Sequence, residues 1–268
     1  MAKILAVTNQ KGGVGKTTTA VNLSACLAAL EQRVLMIDLD PQGNATTGCG
    51  VFKREALPSV YQILIGRSTL ADARIKTEFG FDILPANREL AGAEVDLIDM
   101  GNREYRLRDA LAGIHDEYDF ILMDCPPALN MLTVNGLVAA EAVIIPMQCE
   151  YYALEGLTDL VATLKKVRVN LNPALEIEGL LRTMFDARST LTQQVSGELE
   201  AHFGDKVYRT IIPRNVRLAE APSYGKPVVA FDRNSKGAQA YLSLAQEMLA
   251  RRQAGGVKTS TAEQGAMA

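Results

Sequence analysis

The chain has 268 residues, 48% of them hydrophobic and 22% charged, with a net charge of −3. This is the balance of an ordinary globular protein long enough to bury one substantial core, and it argues against a nucleic-acid binder that relies on bulk charge. No apolar run approaches the ~20 residues of a bilayer span, the N-terminus lacks a secretion signal's layout, and four scattered cysteines suggest reduced thiols in a cytoplasmic protein.

Taken in chain order, Ile4-Leu5-Ala6-Val7 is a short apolar run closed by a polar, glycine-rich turn, the pattern of a buried strand. From Thr17 onward Ala20, Val21, Leu23, Ser24, Leu27, Ala28 and Leu30 recur at helical spacing. Strand, glycine loop, Gly15-Lys16-Thr17 and helix form the layout of a phosphate-binding loop. Gly12, Gly13 and Gly15 let backbone N–H groups turn inward, and the helix N-terminus adds the positive end of its dipole. Nucleotide contacts are therefore expected from Gly12, Gly13, Val14, Gly15, Lys16, Thr17 and Thr18. Lys16 would meet the β- and γ-phosphates of ATP, and the Thr17 hydroxyl would ligate Mg²⁺. The usual pattern opens with glycine, but Gln10 stands there and a second cation, Lys11, follows it.

Residues 33–40 read as a second buried strand that ends in Asp38 and Asp40 before a Pro-Gln-Gly-Asn loop. Carboxylates at that end of a strand lie where open α/β sheets bind ligands. Between 51 and 118 the sequence predicts helices over Val60–Leu64 and Arg103–Ile114, and a strand over 81–85, without chemistry of its own. Asp119–Pro127 carries four apolar residues into Asp124, the pattern of a buried strand that delivers a carboxylate near Mg²⁺.

Further strands are predicted over 142–147, 177–184, 207–212 and 228–231, with helices over 154–169 and 236–251. Lys165, Lys166 and Arg168 crowd the end of the first of these helices, where cations suit its dipole. Residues 1–164 hold 13 Lys and Arg against 21 Asp and Glu, whereas residues 165–268 hold 15 against 10. That asymmetry points weakly to an anionic partner for the C-terminal half, and a solvated surface explains it equally. Strands and helices alternate throughout, so the fold class is α/β, a single doubly wound, mostly parallel sheet spanning 1–252. Residues 253–268 are rich in Gly, Ser, Thr and Ala and are predicted to be a disordered tail.

Lys-Gly-Gly-Val-Gly-Lys-Thr over 11–17, Asp-Leu-Asp-Pro-Gln-Gly-Asn over 38–44, Asp-Cys-Pro-Pro over 124–127 and Ile-Pro-Arg-Asn-Val-Arg over 212–217 carry a family resemblance. The chain resembles the deviant Walker A ATPases, a family that includes MinD-type ATPases and nitrogenase iron protein, and within it the chromosomal ParA/Soj type. That resemblance covers roughly residues 2–250. It implies an ATP-sandwich homodimer in which Lys11 reaches the partner subunit's nucleotide. It implies that Asp40 helps position the attacking water near the Mg²⁺ shell, and that the turn after Asp124 senses the γ-phosphate. Lys11, Lys16, Asp40 and Asp124 are thus the catalytic candidates, and Thr17, Asp40 and Asp124 the metal candidates. Pro213 and Asn215 would frame adenine, with Met184 nearby.

The same resemblance implies non-specific DNA binding by the ATP-bound dimer through C-terminal arginines, with Arg188 and Arg217 as candidates. It also implies a ParB-type partner that stimulates hydrolysis, and a cytoplasmic protein associated with the nucleoid when ATP is bound. An alternative is a MinD-like positioning ATPase on a protein or membrane scaffold, although the tail lacks the bulky apolar face of a membrane-binding helix. A cluster-carrying ATPase of the iron-protein kind would use Cys125, yet no second cysteine is evidently placed to complete four thiolates.

Overall fold

The computed structural model describes residues 2–265. In chain order the elements are β1 (Lys3–Val7), α1 (Lys16–Ala29), β2 (Val34–Asp38), α2 (Asn44–Gly48), α3 (Val60–Leu64), α4 (Leu70–Ala73), β3 (Ile75–Lys76), β4 (Asp82–Leu84), α5 (Ala93–Asp96) and α6 (Arg106–Leu111). They continue with β5 (Phe120–Asp124), α7 (Met131–Ala139), β6 (Ala142–Gln148), α8 (Ala153–Asn170), β7 (Glu176–Thr183), α9 (Thr190–Phe203), α10 (Val216–Glu220), α11 (Val228–Phe231) and α12 (Lys236–Gly265).

Strand order is β3-β4-β2-β5-β1-β6-β7, and every neighbouring pair is parallel except β3 with β4. The central strands read as unbroken apolar runs because both faces are covered. Alternate residues divide between two cores. Ile4, Ala6, Leu35, Ile37, Ile121 and Met123 pack with α3, α6, α7, α8 and α9 on one face. Leu5, Val7, Val34, Met36, Phe120 and Leu122 pack with α1, α10, α11 and α12 on the other. Register then places the site: Val7 and Asp38 each align with Asp124, so the loop after β1 and two carboxylates emerge at one end of the sheet.

Two expected strands are not strands. Residues 207–212 form no ladder: isolated bridges join Leu180 with Val207 and, just beyond the segment, Phe185 with Pro213, while the Arg182 guanidinium takes the Tyr208 carbonyl and Glu247 takes the Arg209 and Thr210 N–H groups that a ladder would use. Residues 228–231 form α11 instead: Pro227 presets the backbone for a helical start, and Asn22 accepts the Val228 N–H. Gln253, where the tail was expected to begin, falls inside α12, because a helix already nucleated on the core extends without a new nucleation cost. Residues 266–268 of that tail lie outside the described residues.

Candidate functional site

Gly13 and Gly15 have φ of +74° and +89°, so the loop after β1 uses the left-handed conformation that glycine alone adopts without strain. Gly15 is the N-cap of α1, whose first residue is Lys16. Lys16 is only 7% exposed, and its Nζ donates to the Lys11 carbonyl at 2.9 Å. Burial lowers its pKa, against the opposing pull of Asp124, Cys125 and Asp40. Asn9 braces the start of the loop: its Oδ1 accepts the Lys11 N–H at 3.0 Å and its Nδ2 donates to the Pro146 carbonyl at 2.9 Å.

A pocket of about 460 Å³ opens above this loop. It brings together Gly12, Gly13, Gly15, Lys16, Thr17, Thr18, Asp40, Met184, Pro213 and Asn215, which the sequence pointed to from four separate stretches. Thr183, Ile212, Leu218 and Tyr241 also line it and were not among the residues expected to bind nucleotide. Tyr241 belongs to α12, 222 residues from its hydrogen-bond partner Thr19, and only the packing of α12 on α1 makes it local.

Val14, Lys11, Asp124, Arg188 and Arg217 stand outside the pocket lining. Val14 is buried and offers its carbonyl to Thr183. Asn215 caps α10 by accepting the Arg217 and Leu218 N–H groups, which leaves its amide nitrogen for a ligand. Lys11 is exposed, and its Nζ pairs with Glu150 at 2.6 Å, beside the exposed Tyr151 and Tyr152. Arg188 is 90% exposed and forks onto Asp186, while Arg217 pairs with Glu220 and Asp232.

The carboxylates differ in their surroundings. Asp38 is fully buried and accepts from the Thr46 N–H and hydroxyl and from the Asp40 N–H, so it holds the loop rather than facing the pocket. Burial pushes its pKa up to about 6 despite those bonds. Asp40 is half-buried on the pocket wall, with one oxygen accepting the Gln42 N–H at 2.9 Å. Asp124 lies beneath the loop with both oxygens buried, and the Thr17 side chain is the hydrogen-bonding group that faces it. Burial, then the Asp38 charge, drive its pKa well above the usual carboxylate range, against the pull of Thr17 and Lys16.

A buried carboxylate with so little hydrogen bonding around it is costly to the fold unless a cation completes it. With the Thr17 hydroxyl nearby, these residues suit a Mg²⁺ ion that also takes phosphate oxygens. Asp124→Asn is therefore expected to raise the melting temperature of the nucleotide-free protein by about 3 °C. The same change should abolish the extra stabilisation that Mg²⁺ adds to ATP; scanning calorimetry with and without both measures the two effects.

A family model described as an AAA domain matches residues 2–177. The chain is 53% identical over 252 residues to the chromosome partitioning protein ParA of Caulobacter vibrioides, covering 93% of this chain and 94% of that one. It is 53% identical over 251 residues to the sporulation initiation inhibitor protein Soj of Bacillus subtilis, covering 93% and 99%. Among solved structures, cobyrinic acid a,c-diamide synthase of Mycobacterium smegmatis, with bound ATP analog and magnesium, superposes with a TM-score of 0.83 at 38% identity over 95% and 97% of the two chains.

Proposed function

The chain belongs to the ParA and Soj family of chromosome-partitioning ATPases, and from that premise we propose that it is an ATP-gated homodimer that binds DNA without sequence preference and moves chromosomal or plasmid cargo with a ParB-type partner. The observation that carries this reading is the position of Lys11. A lysine on the phosphate loop that stays outside its own pocket, exposed and held by a surface ion pair, can serve the pocket of a second copy.

ATP would lie along the pocket with its phosphates on Gly12–Thr18 and its base against Pro213, Asn215 and Met184. Bound to Thr17 and Asp124 with Asp40 close by, Mg²⁺ would supply charge neutralisation for the transferring phosphate. Lys16, buried beneath the phosphates, provides a fixed cation that needs no reorganisation. Asp40, on the pocket wall with one oxygen uncommitted, orients water toward the γ-phosphate. After hydrolysis the contact between subunits loses its charge partner, and the loops after β2 and β5 relax.

Dimerisation doubles the cations presented to one duplex, and affinity rises steeply with the number of phosphates neutralised. The protein would be cytoplasmic, and on the nucleoid only when ATP is bound. Among the described residues no helix is long and apolar enough to cross a membrane.

The test is binding to an unrelated duplex at fixed moderate salt with no nucleotide, with ADP, or with ATP and Mg²⁺. Binding only with ATP is expected, and Arg188→Glu or Arg217→Glu should weaken it about tenfold and flatten its salt dependence. Duplex binding that ignores the nucleotide would contradict the gate. No binding in any state would favour a positioning ATPase that works on a protein or membrane scaffold.

A further inference from the structure

The three residues where β7 runs into the pocket hold its two halves at once. Thr183 is 2% exposed, and its hydroxyl donates to the Val14 carbonyl at 2.8 Å. A peptide unit is planar, with its C=O and N–H pointing opposite ways. Tethering the Val14 oxygen to Thr183 therefore aims the Gly15 N–H away from β7, toward the phosphate side of the loop. Gly15 itself packs close to Thr183: a Cβ there would lie 3.8 Å from the threonine side chain.

Arg182, one residue earlier, is 4% exposed and points to the other side of the strand. Its Nη2 donates to the Tyr208 carbonyl at 2.7 Å, and its Nη1 reaches Ser196 at 2.8 Å and Glu200 of α9. Its own carbonyl accepts the Ile212 N–H at 2.9 Å. Residues 207–213 have no ladder of their own; Glu247 and Arg251 of α12 hold residues 207–210 from one side, and this fork and two isolated bridges join the segment that delivers Pro213 and Asn215 to β7. Met184 follows at φ +48°, a left-handed turn rare for a side chain of its size, which places it on the pocket wall.

We infer that Arg182 and Thr183 are paired positioning residues that set the span between phosphate loop and base segment: Thr183 aims the loop and Arg182 places the base-framing turn. The inference rests on the nucleotide reading above and adds to it the residues that fix the length the pocket accepts. The strand is rigid between the two, so the phosphate and base halves move together only if both tethers hold.

Two probes separate the halves: ATP, and inorganic tripolyphosphate, which has no base. Calorimetric titration well below each variant's melting temperature reads both. Thr183→Val, which keeps shape and removes the donor, is expected to weaken both probes about tenfold, with Thr183→Ser restoring them. Arg182→Lys keeps the charge but loses the fork, and should weaken ATP about tenfold while tripolyphosphate stays within about twofold of wild type. If Arg182→Lys does not fold, Glu200→Gln on the exposed side of the same guanidinium should shift ATP alone, by about threefold.

Lower melting temperatures with unchanged affinity for both probes would reduce the two residues to structural supports. Equal losses of both probes in the Arg182 and Glu200 variants would overturn the division of labour. A wild-type protein that takes neither probe would instead sink the nucleotide reading itself.

Discussion

Lys11→Ala is expected to abolish ATP-dependent dimerisation while each subunit still binds ATP. The single chain shows what the lysine gives up. Its pair with Glu150 joins side chains 44% and 50% exposed, and such surface pairs contribute about 0–1 kcal/mol. Between two subunits the same ammonium would face phosphate with water excluded, where truncating one charged partner costs about 2–5 kcal/mol. The interface term wins, so the dimer constant should weaken by about 100-fold or more. Sedimentation velocity with ATP, in an Asp40→Ala background to slow turnover, measures it; dimers at the wild-type concentration would refute the role given to Lys11. Glu150→Gln is the control, and should change dimerisation by only a few-fold.

The second large effect is expected at Asp40. Asp40→Ala should leave ATP affinity within about threefold of wild type and slow turnover by about 100-fold, the lower end of what a positioned base or water-orienting group contributes. The fold tolerates the change because Asp38, not Asp40, ties β2 to Thr46. Asp40 gives up only the short bond from the Gln42 N–H. Single-turnover phosphate release beside equilibrium ATP binding separates the two quantities. A loss of affinity in step with turnover would make Asp40 a ground-state contact.

The parts of this molecule that the sequence discloses are those whose physics is local. An apolar run covered on both faces, a glycine loop with positive φ and a carboxylate at a strand end leave their marks within a few residues. β1, β2 and β5 were legible for that reason, and so was most of the phosphate loop. Residues 207–212 and 228–231 show the limit: short apolar runs have no period to separate strand from helix, and a buried arginine, Glu247 and a proline decided them. Thr183 lay within a predicted strand, but its partner Val14 is 169 positions away, and nothing near either residue announces the bond. The pairing of Lys11 with Glu150 is equally non-local. The roles of Arg188 and Arg217 were proposed from resemblance, and the geometry adds that each is already engaged by acidic neighbours that DNA would have to outcompete.

All four cysteines are buried, between 0% and 4% exposed, and burial raises each thiol, Cys26 to about 12 and Cys149 to about 11. A thiol reagent added to the folded chain therefore meets almost no thiolate. A fluorophore can be attached through one engineered surface cysteine with the native four left in place. Cys125 follows Asp124 directly and packs against Gly136, where even a methyl group would come within 3.0 Å of its sulfur. Its slow labelling would act as a clock for the turn after β5, ticking only when that turn lifts.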